Sequence, residues 1–388
     1  MRRKQSKILT ALAVLGAATA AWFALPASAD ESPLPFTVTN DTGRGDAVFL
    51  YVLGTNLTTG KLGYANASGQ FTAWTGGAAT PVPAPDVSIP GPSSGASTTI
   101  QIPRNMSGRI YESFGQKLVF KLTTDGLVQP APWAAGDPNQ NILFDWSEFT
   151  LDNGGIFLNS TQVDMFAVPQ EVSVTSSAGT QTSGAPVAGG RQKIIDAVRA
   201  SGDFAKSVVT GSDGTVLRIL SPGKAADAGL MSPTYYDSYI ASAWAAPVTV
   251  TPFADRPAVR FTGRPSGGNL VFTDATGATV ATFAKPSTSN VWGCDGALAA
   301  PNDQTVGPIA RTLCAALVRG TLGTLDTQPS GTAADFYGNS TPDVYAKAIN
   351  QNMADGKAYA FAFDDVQNQE SLVHDAAPTS AGITMTAF

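Results

Sequence analysis

Short runs of alternating apolar and polar residues, each closed by Gly, Pro, Asn or Ser, fill the first half of this chain and predict strands. Phe36–Thr39, Ala47–Leu53, Thr98–Ile102, Arg109–Tyr111 and Leu118–Leu122 are the strand candidates. Between them, Ala78 to Ser97 is rich in Pro, Gly and Ser and reads as a long surface connection. The clearest pattern runs from Phe144 to Pro169, FDWSEFTLDNGGIFLNSTQVDMFAVP. It predicts two strand-like runs joined by a Gly-containing turn. Trp146, Glu148 and Thr150 fall on one face, with Ser147, Phe149 and Leu151 on the other; later, Gln162 and Asp164 oppose Val163, Met165 and Ala167. Two carboxylates then stand out from one sheet face while the aliphatic side is buried.

Beyond a polar, Gly-rich break from Ser173 to Gly190 the period changes. Ile194, Ile195 and Val198 at helical spacing predict an amphipathic helix over Arg191 to Ser201. A second helix is expected from Pro233 to Ala245, carrying Tyr235, Tyr236, Tyr239, Ile240 and Trp244. Val248–Thr251, Val259–Thr262, Leu270–Thr273 and Thr279–Phe283 alternate again and suggest a small sheet. Thr305 to Leu317 and Pro342 to Met353 read as further helices, with Pro342 suited to a first turn after Thr341. Tyr359 to Asp364 and Ile383 to Phe388 return to strand texture. The whole is mainly β, with an α/β insertion inside a β domain.

The first 29 residues read as an export signal. Arg2, Arg3, Lys4 and Lys7 precede an apolar stretch from Ile8 to Leu25, and Ala27-Ser28-Ala29 supplies a small-residue cleavage site. The mature chain is expected to start at Asp30 and to be secreted, with no later membrane span. Only 14% of residues are charged, the net charge is −6, and Gly and Pro number 39 and 26. That composition suits a turn-rich extracellular protein and argues against nucleic acid or an anionic membrane as partner. A neutral polysaccharide fits better.

Chemistry is narrowed by what the chain carries few of. Cys294 and Cys314 are the two cysteines; in an oxidising compartment a disulfide is the expected state, contributing roughly 3 kcal/mol in the chain-entropy model. A metal pair or a nucleophilic thiol lacks nearby His. The one histidine, His374, lies in the polar stretch Glu370 to Pro378 and is expected to be an exposed loop residue. A Ser-His-Asp site, a Cys-His site or a His-containing metal centre would have to use it. Carboxylate acid/base work remains, and Glu148 with Asp164 is a pair suited to it. With 30 Asp and Glu in the chain, pairs on neighbouring runs also arise by chance, and a solvated surface role is the competing reading.

Several segments resemble known families. Ser107-Gly108-Arg109-Ile110-Tyr111 with Gly115, then Glu148-Phe149-Thr150-Leu151, Val168-Pro169 and Ala358-Tyr359-Ala360-Phe361 through Asp364-Asp365 resemble the landmarks of thaumatin-like proteins. Those are heavily disulfide-bonded, unlike this chain. SEFTLDNGGIFLNSTQVDMF, the stretch from Asn290 to Leu322 and that from Asp355 to Val366 look like glycoside hydrolase family 64, the bacterial β-1,3-glucanases, some of which release laminaripentaose. This likeness runs from about Pro33 to Phe388.

The resemblance implies a thaumatin-like β-barrel or sandwich domain (residues 33–185 and 357–388) and a mixed α/β domain (186–356) flanking a wide groove for β-1,3-glucan. It implies an inverting glucan endo-1,3-β-glucosidase, free of metal and cofactor and expected to be a monomer, with Glu148 as general acid and Asp164 as general base. The carboxyls should then stand roughly 6.5–9.5 Å apart. Thr150 matches a family sugar contact. Arg109 matches the arginine of the thaumatin-like acidic cleft; it either holds carboxylates ionised or is an exposed strand-end residue. Asn153 and Asn159 are candidates for sugar hydroxyls, or for turns. Trp146 shares the face of Glu148 and is read as stacking on sugar rather than filling core. Asn290 to Cys294 is expected to support the disulfide. Phe157, where a Trp is common, and Asn350, where a His is common, depart from the family. A glucan-binding protein without turnover is the alternative.

Overall fold

The computed structural model describes residues 32–124, 126–330 and 332–388, so the export signal expected over residues 1–29 lies outside the described residues. Two sheets pack face to face. One has five strands in the order Gly179–Ser183, Gln170–Ser176, Ser380–Met385, Leu34–Asn40 and Ala96–Ile102, with Leu34–Asn40 parallel to Ser380–Met385 and the other pairs antiparallel. The other runs Leu372–Asp375, Gly155–Ser160, Leu143–Asp152, Met106–Phe114, Val48–Asn56, Lys61–Ala65 and Phe71–Ala73, with Ile89–Pro90 beside Val48–Asn56. Phe36, Val38, Val172 and Ile383 from the first sheet meet Leu50, Val52, Ile110, Phe149, Leu151, Ile156 and Leu158 from the second in one core. The result is a sandwich, with no closed barrel among the described residues.

Strand alternation gives the larger sheet a second apolar face. Tyr51, Leu53, Tyr111, Phe144 and Trp146 point away from the sandwich and join another core with Ile194, Ile195 and Val198 of the helix Gly190–Arg199. The same core takes in Val306–Val318, whose Ile309, Leu313, Cys314 and Leu317 are fully buried. A sheet of Thr279–Ala284, Asn269–Thr273, Phe261–Ser266, Val248–Val250 and Thr327–Gln328 packs on this side. Cys294 and Cys314 form the expected disulfide, joining Val306–Val318 to the end of the short helix Thr288–Gly293. That short helix is closed by a reciprocal Ser287–Asn290 capping box, and its Trp292 packs on Tyr235 and Tyr236.

Several sequence expectations need correction. The break expected from Ser173 to Gly190 contains a hairpin, Gln170–Ser176 and Gly179–Ser183, turned at Gly179 with φ +114°. The Thr and Gln side chains of the Gly179–Ser183 arm face water at a sheet edge, so no apolar alternation marks that arm. Tyr359 to Asp364 is turn rather than strand, touching the sheet through one bridge between Thr161 and Tyr359. His374 is in a strand, Leu372–Asp375, although exposed as expected. The helix expected from Pro233 covers only Asp237–Ala243. The helix expected from Pro342 covers Val344–Asn350, because the Asp343 carboxylate accepts the Ala346 N–H at 2.9 Å and so caps the helix two residues later.

One buried ion pair ties the turn after Tyr359 to the helical side. Arg319, at the end of Val306–Val318, donates Nη2 to Asp364 Oδ1 at 2.8 Å and Nη1 to the Val366 carbonyl at 2.9 Å, both side chains being almost wholly buried. Removing one partner of such a pair strands the other. Arg319→Met is therefore expected to lower unfolding stability by about 3–5 kcal/mol in urea titration. A loss under about 1 kcal/mol would show that the pair does not anchor this turn.

Candidate functional site

Cross-strand register assembles the site from single residues of four strands. Across Met106–Phe114, Leu143–Asp152, Gly155–Ser160 and Leu372–Asp375 one row reads Arg109, Glu148, Asn159, Leu372. The adjacent row reads Ser107, Thr150, Phe157, His374. Directly opposed residues share a face, so both rows lie on the side turned away from the sandwich core. Ser107 and Thr150 hydroxyls are hydrogen-bonded at 2.8 Å, and Phe157 stacks on His374 with ring centroids 3.9 Å apart.

Arg109 is the centre of this surface. Its Nε and Nη2 reach Glu148 Oε1 at 3.1 and 3.0 Å, and the same Nη2 stands 3.7 Å from Asp164 Oδ2. Its Nη1 donates to Gln129 Oε1, which also accepts the Tyr111 hydroxyl. The guanidinium lies over the Trp146 ring, 4.7 Å from its centroid. Burial works against the charge of Arg109, but Tyr111, Glu148 and Asp164 more than offset it and raise its pKa. Glu148 and Asp164 side chains keep 21% and 18% of their exposure, enough to meet a ligand. Burial pushes the Glu148 pKa up, Arg109 pulls it down, and the Asp164 charge pushes it up again, for a net rise. Since one nitrogen touches both carboxyls, at 3.0 and 3.7 Å, the two acids flank a single cation and their nearest oxygens lie no more than about 7 Å apart.

Asp164 is not on a strand as expected. It sits in a bend between Gly155–Ser160 and the two-residue strand Met165–Phe166. Three anchors hold it there. Its carbonyl accepts the Ser221 N–H at 3.0 Å, and Met165 pairs with Leu220 of Val216–Leu220. Asp145, three residues before Glu148, accepts N–H bonds from Ala167 and Val168, three and four residues after Asp164, at 2.8 and 3.0 Å. The following helix, Pro222–Asp227, then brings Lys224 Nζ to 3.2 Å from Asp164 Oδ1, with the ammonium over the Trp133 ring at 4.7 Å. Glu148 thus meets one cation and Asp164 two.

Other sequence candidates divide. Thr150 is partly exposed in the row beside Glu148, as expected. Trp146 is only 2% exposed, held under Arg109 and against Tyr111 and Phe144, so it cannot stack on sugar; it is core that supports the guanidinium. Asn159 is 0% exposed and cannot reach a sugar hydroxyl. Asn153 lies in the exposed turn between the two strands, at the hairpin tip rather than beside the carboxyls. Arg109 holds carboxylates and is not a free strand-end residue. Asn350 bonds Tyr337 and the Ala346 carbonyl inside its own helix. Lys224, Trp133 and Asp145 were missed: each acts through a fold contact, and none carries a local motif. Among the described residues no group of three His, Cys, Asp or Glu is arranged to hold a metal ion.

Comparison with known proteins places this geometry. A family model described as glycoside hydrolase 64, beta-1,3-glucanase, matches residues 32–385. Glucan endo-1,3-beta-glucosidases of Arthrobacter sp. (strain YCWD3) and Cellulosimicrobium cellulans are each 47% identical over 385 residues, covering 97% of this chain and 69% of theirs. A solved laminaripentaose-producing beta-1,3-glucanase in complex with laminaritetraose superposes with a TM-score of 0.88 at 50% identity, over 92% of this chain and 99% of that one.

The Asp145 clamp makes a prediction about stability. Burial, against three backbone N–H bonds that favour the charged form, pushes its pKa up to about 7. A folded-state value above the unfolded one, near 3.9, means the folded chain holds the proton more tightly. Its contribution to stability is then full below about pH 4 and lost as pH rises toward 7, at up to about 1.4 kcal/mol per pH unit. Asp145→Asn should flatten urea-measured stability between those pH values. Glu112, which burial also raises, keeps part of the slope. An unchanged profile in the variant would show that Asp145 is already charged in the folded state.

Proposed function

The chain belongs to the β-1,3-glucanases of glycoside hydrolase family 64 and is a glucan endo-1,3-β-glucosidase; on that premise we propose that it cleaves with inversion, Glu148 being the general acid and Asp164 the general base. The observation that carries this reading is the placing of Arg109 against both carboxyls with Lys224 on the far side of Asp164. Glu148, desolvated and with its pKa raised, is the carboxyl suited to hold a proton. Asp164, held between Arg109 and Lys224, is the carboxyl we assign to take the proton from water.

In the reaction Glu148 gives its proton to the glycosidic oxygen as the bond from C1 to that oxygen breaks. A water bonds to C1 from the opposite face and gives a proton to Asp164. The products are a free hydroxyl on the departing chain and an α-anomeric hemiacetal on the other. Both Asp164 oxygens are engaged by cations, which suits them to polarise water rather than to bond to carbon. The sugar contact assigned to Thr150 is supported by its partial exposure one row away from Glu148.

Linear β-1,3-glucans such as laminarin, curdlan and fungal wall glucan are the proposed substrates. Release of laminaripentaose is supported by the product named for the 50% identical neighbour. Export is supported by the basic start, the apolar stretch from Ile8 to Leu25 and the Ala27-Ser28-Ala29 site.

Laminarin hydrolysis tests the assignment. Glu148→Gln and Asp164→Asn are each expected to lose at least about 10²-fold in kcat while melting like the wild type. Full activity in both variants, or binding by the wild type without release of sugar, overturns the catalytic pair. Proton NMR should show the α anomer first; β first would sink inversion alone. Products other than the pentasaccharide, and a mature chain starting elsewhere than Asp30, would refute the two remaining points separately.

A further inference from the structure

Asn159 faces Glu148 across the strand pair, and it is the one described side chain with both a buried donor and a buried acceptor lacking a hydrogen-bond partner. Its exposure is 0%. Each such atom has given up its hydrogen bonds to water without replacement, so an amide left this way inside a sheet calls for a cause. Its position supplies one. Ile156 and Leu158 of the same strand point into the sandwich core, which turns Asn159 to the Glu148 side. On its other flank stands Leu372, with no polar side-chain atom. Directly opposed residues have Cβ atoms about 4.5–5.5 Å apart, so the amide reaches the Glu148 carboxyl by a small rotation or through one water.

The groups around Glu148 need such a neighbour. Arg109 places two donors on Oε1. Tyr111, from the same strand as Arg109, turns its hydroxyl to Gln129, and Asp164 is drawn off by Lys224. Tyr359, in the turn bridged to Thr161, gives its hydroxyl to the Ala362 carbonyl. None of these accepts a proton from Glu148, and the guanidinium favours the charged carboxylate. We propose that Asn159 is the positioning residue of the acid: its Oδ1 accepts the proton on Glu148 Oε2 and holds it on the oxygen away from Arg109. The inference rests on Glu148 being the acid.

Asn159→Leu keeps the approximate shape and removes both polar atoms. The expected result is an unchanged or higher Tm, since two orphaned atoms are gone, with kcat lowered about tenfold and KM little changed. The basic limb of kcat/KM should move about one pH unit downward, because the protonated acid has lost its acceptor. Asn159→Ser, smaller and still polar, reads the same limb if the leucine variant does not fold. A limb that stays in place, whatever happens to Tm, makes Asn159 structural and overturns the proposal. A second readout needs no turnover. Gln at 148 offers the same donor as the protonated acid, so Glu148→Gln and Asn159→Leu should be non-additive in unfolding stability. Additivity counts against the contact. Activity surviving Glu148→Gln would instead sink the acid assignment itself, whereas an inactive Glu148→Gln with an unmoved limb in Asn159→Leu sinks only this inference.

Discussion

Everything at this site depends on one guanidinium that must satisfy two carboxyls asked to behave differently. Arg109 touches Glu148 with two nitrogens and Asp164 with one, at the longer distance of 3.7 Å. A lone cation between two acids would favour charge on both. Two features break the symmetry: burial, which raises the Glu148 pKa, and Lys224, which gives Asp164 a second cation. In the proposed reaction the negative charge starts on Asp164 and ends on Glu148, while the net charge of the four groups stays constant. A cation in contact with both ends of that transfer needs little rearrangement as the charge moves, which is what preorganised electrostatics requires.

Holding Arg109 in that place is the work of the fold beneath it. Buried Trp146, packed on Tyr111, gives the guanidinium an aromatic floor, and Gln129, bonded to both Arg109 and the Tyr111 hydroxyl, gives it a polar side wall. Asp145 carries out the corresponding task for Asp164, lying on the Glu148 strand and gripping the backbone just past Asp164. The distance between the two carboxyls is therefore set inside the protein, on the sandwich side of the same strand that presents Glu148 to solvent. Gln162 adds a third tie, its backbone N–H and side-chain oxygen both bonded to Tyr359 of the turn that Arg319 anchors.

The part of this that the sequence makes legible is the part written with period two. Alternation from Trp146 to Leu151 places Glu148 and Thr150 on the open face and Phe149 and Leu151 in the core, as observed. Where both faces of a strand are wet the signal fails, as in the Gly179–Ser183 hairpin arm; where both are buried it misleads, as at Trp146, whose face is the right one but is covered by Arg109. Asp164 continues an alternating pattern on paper, yet the chain bends after the bridge at Thr161, and the bend is fixed by distant partners at Ser221 and Leu220. Lys224 and Asp145 are invisible for the same reason. Their roles come from tertiary register, which a single sequence states only through family likeness.

Register also separates the two family departures. Asn350 is directed inward, bonding Tyr337 and its own helix, so the departure expected there bears on how that helix packs. Phe157 is different: it stands directly across from Thr150, in the row beside the carboxyls, with its ring flat on His374. A smaller aromatic ring leaves less area for a sugar than an indole, and part of what it has is taken by the histidine. His374 extends the same flat surface one strand further toward the sheet edge, where it is exposed. If the row of Thr150, Phe157 and His374 receives the glucan, the aromatic platform in this chain is shared between two strands rather than carried by one indole. Any difference in the length of glucan it grips then follows from the pairing of Gly155–Ser160 with Leu372–Asp375, and leaves Glu148 and Asp164 untouched.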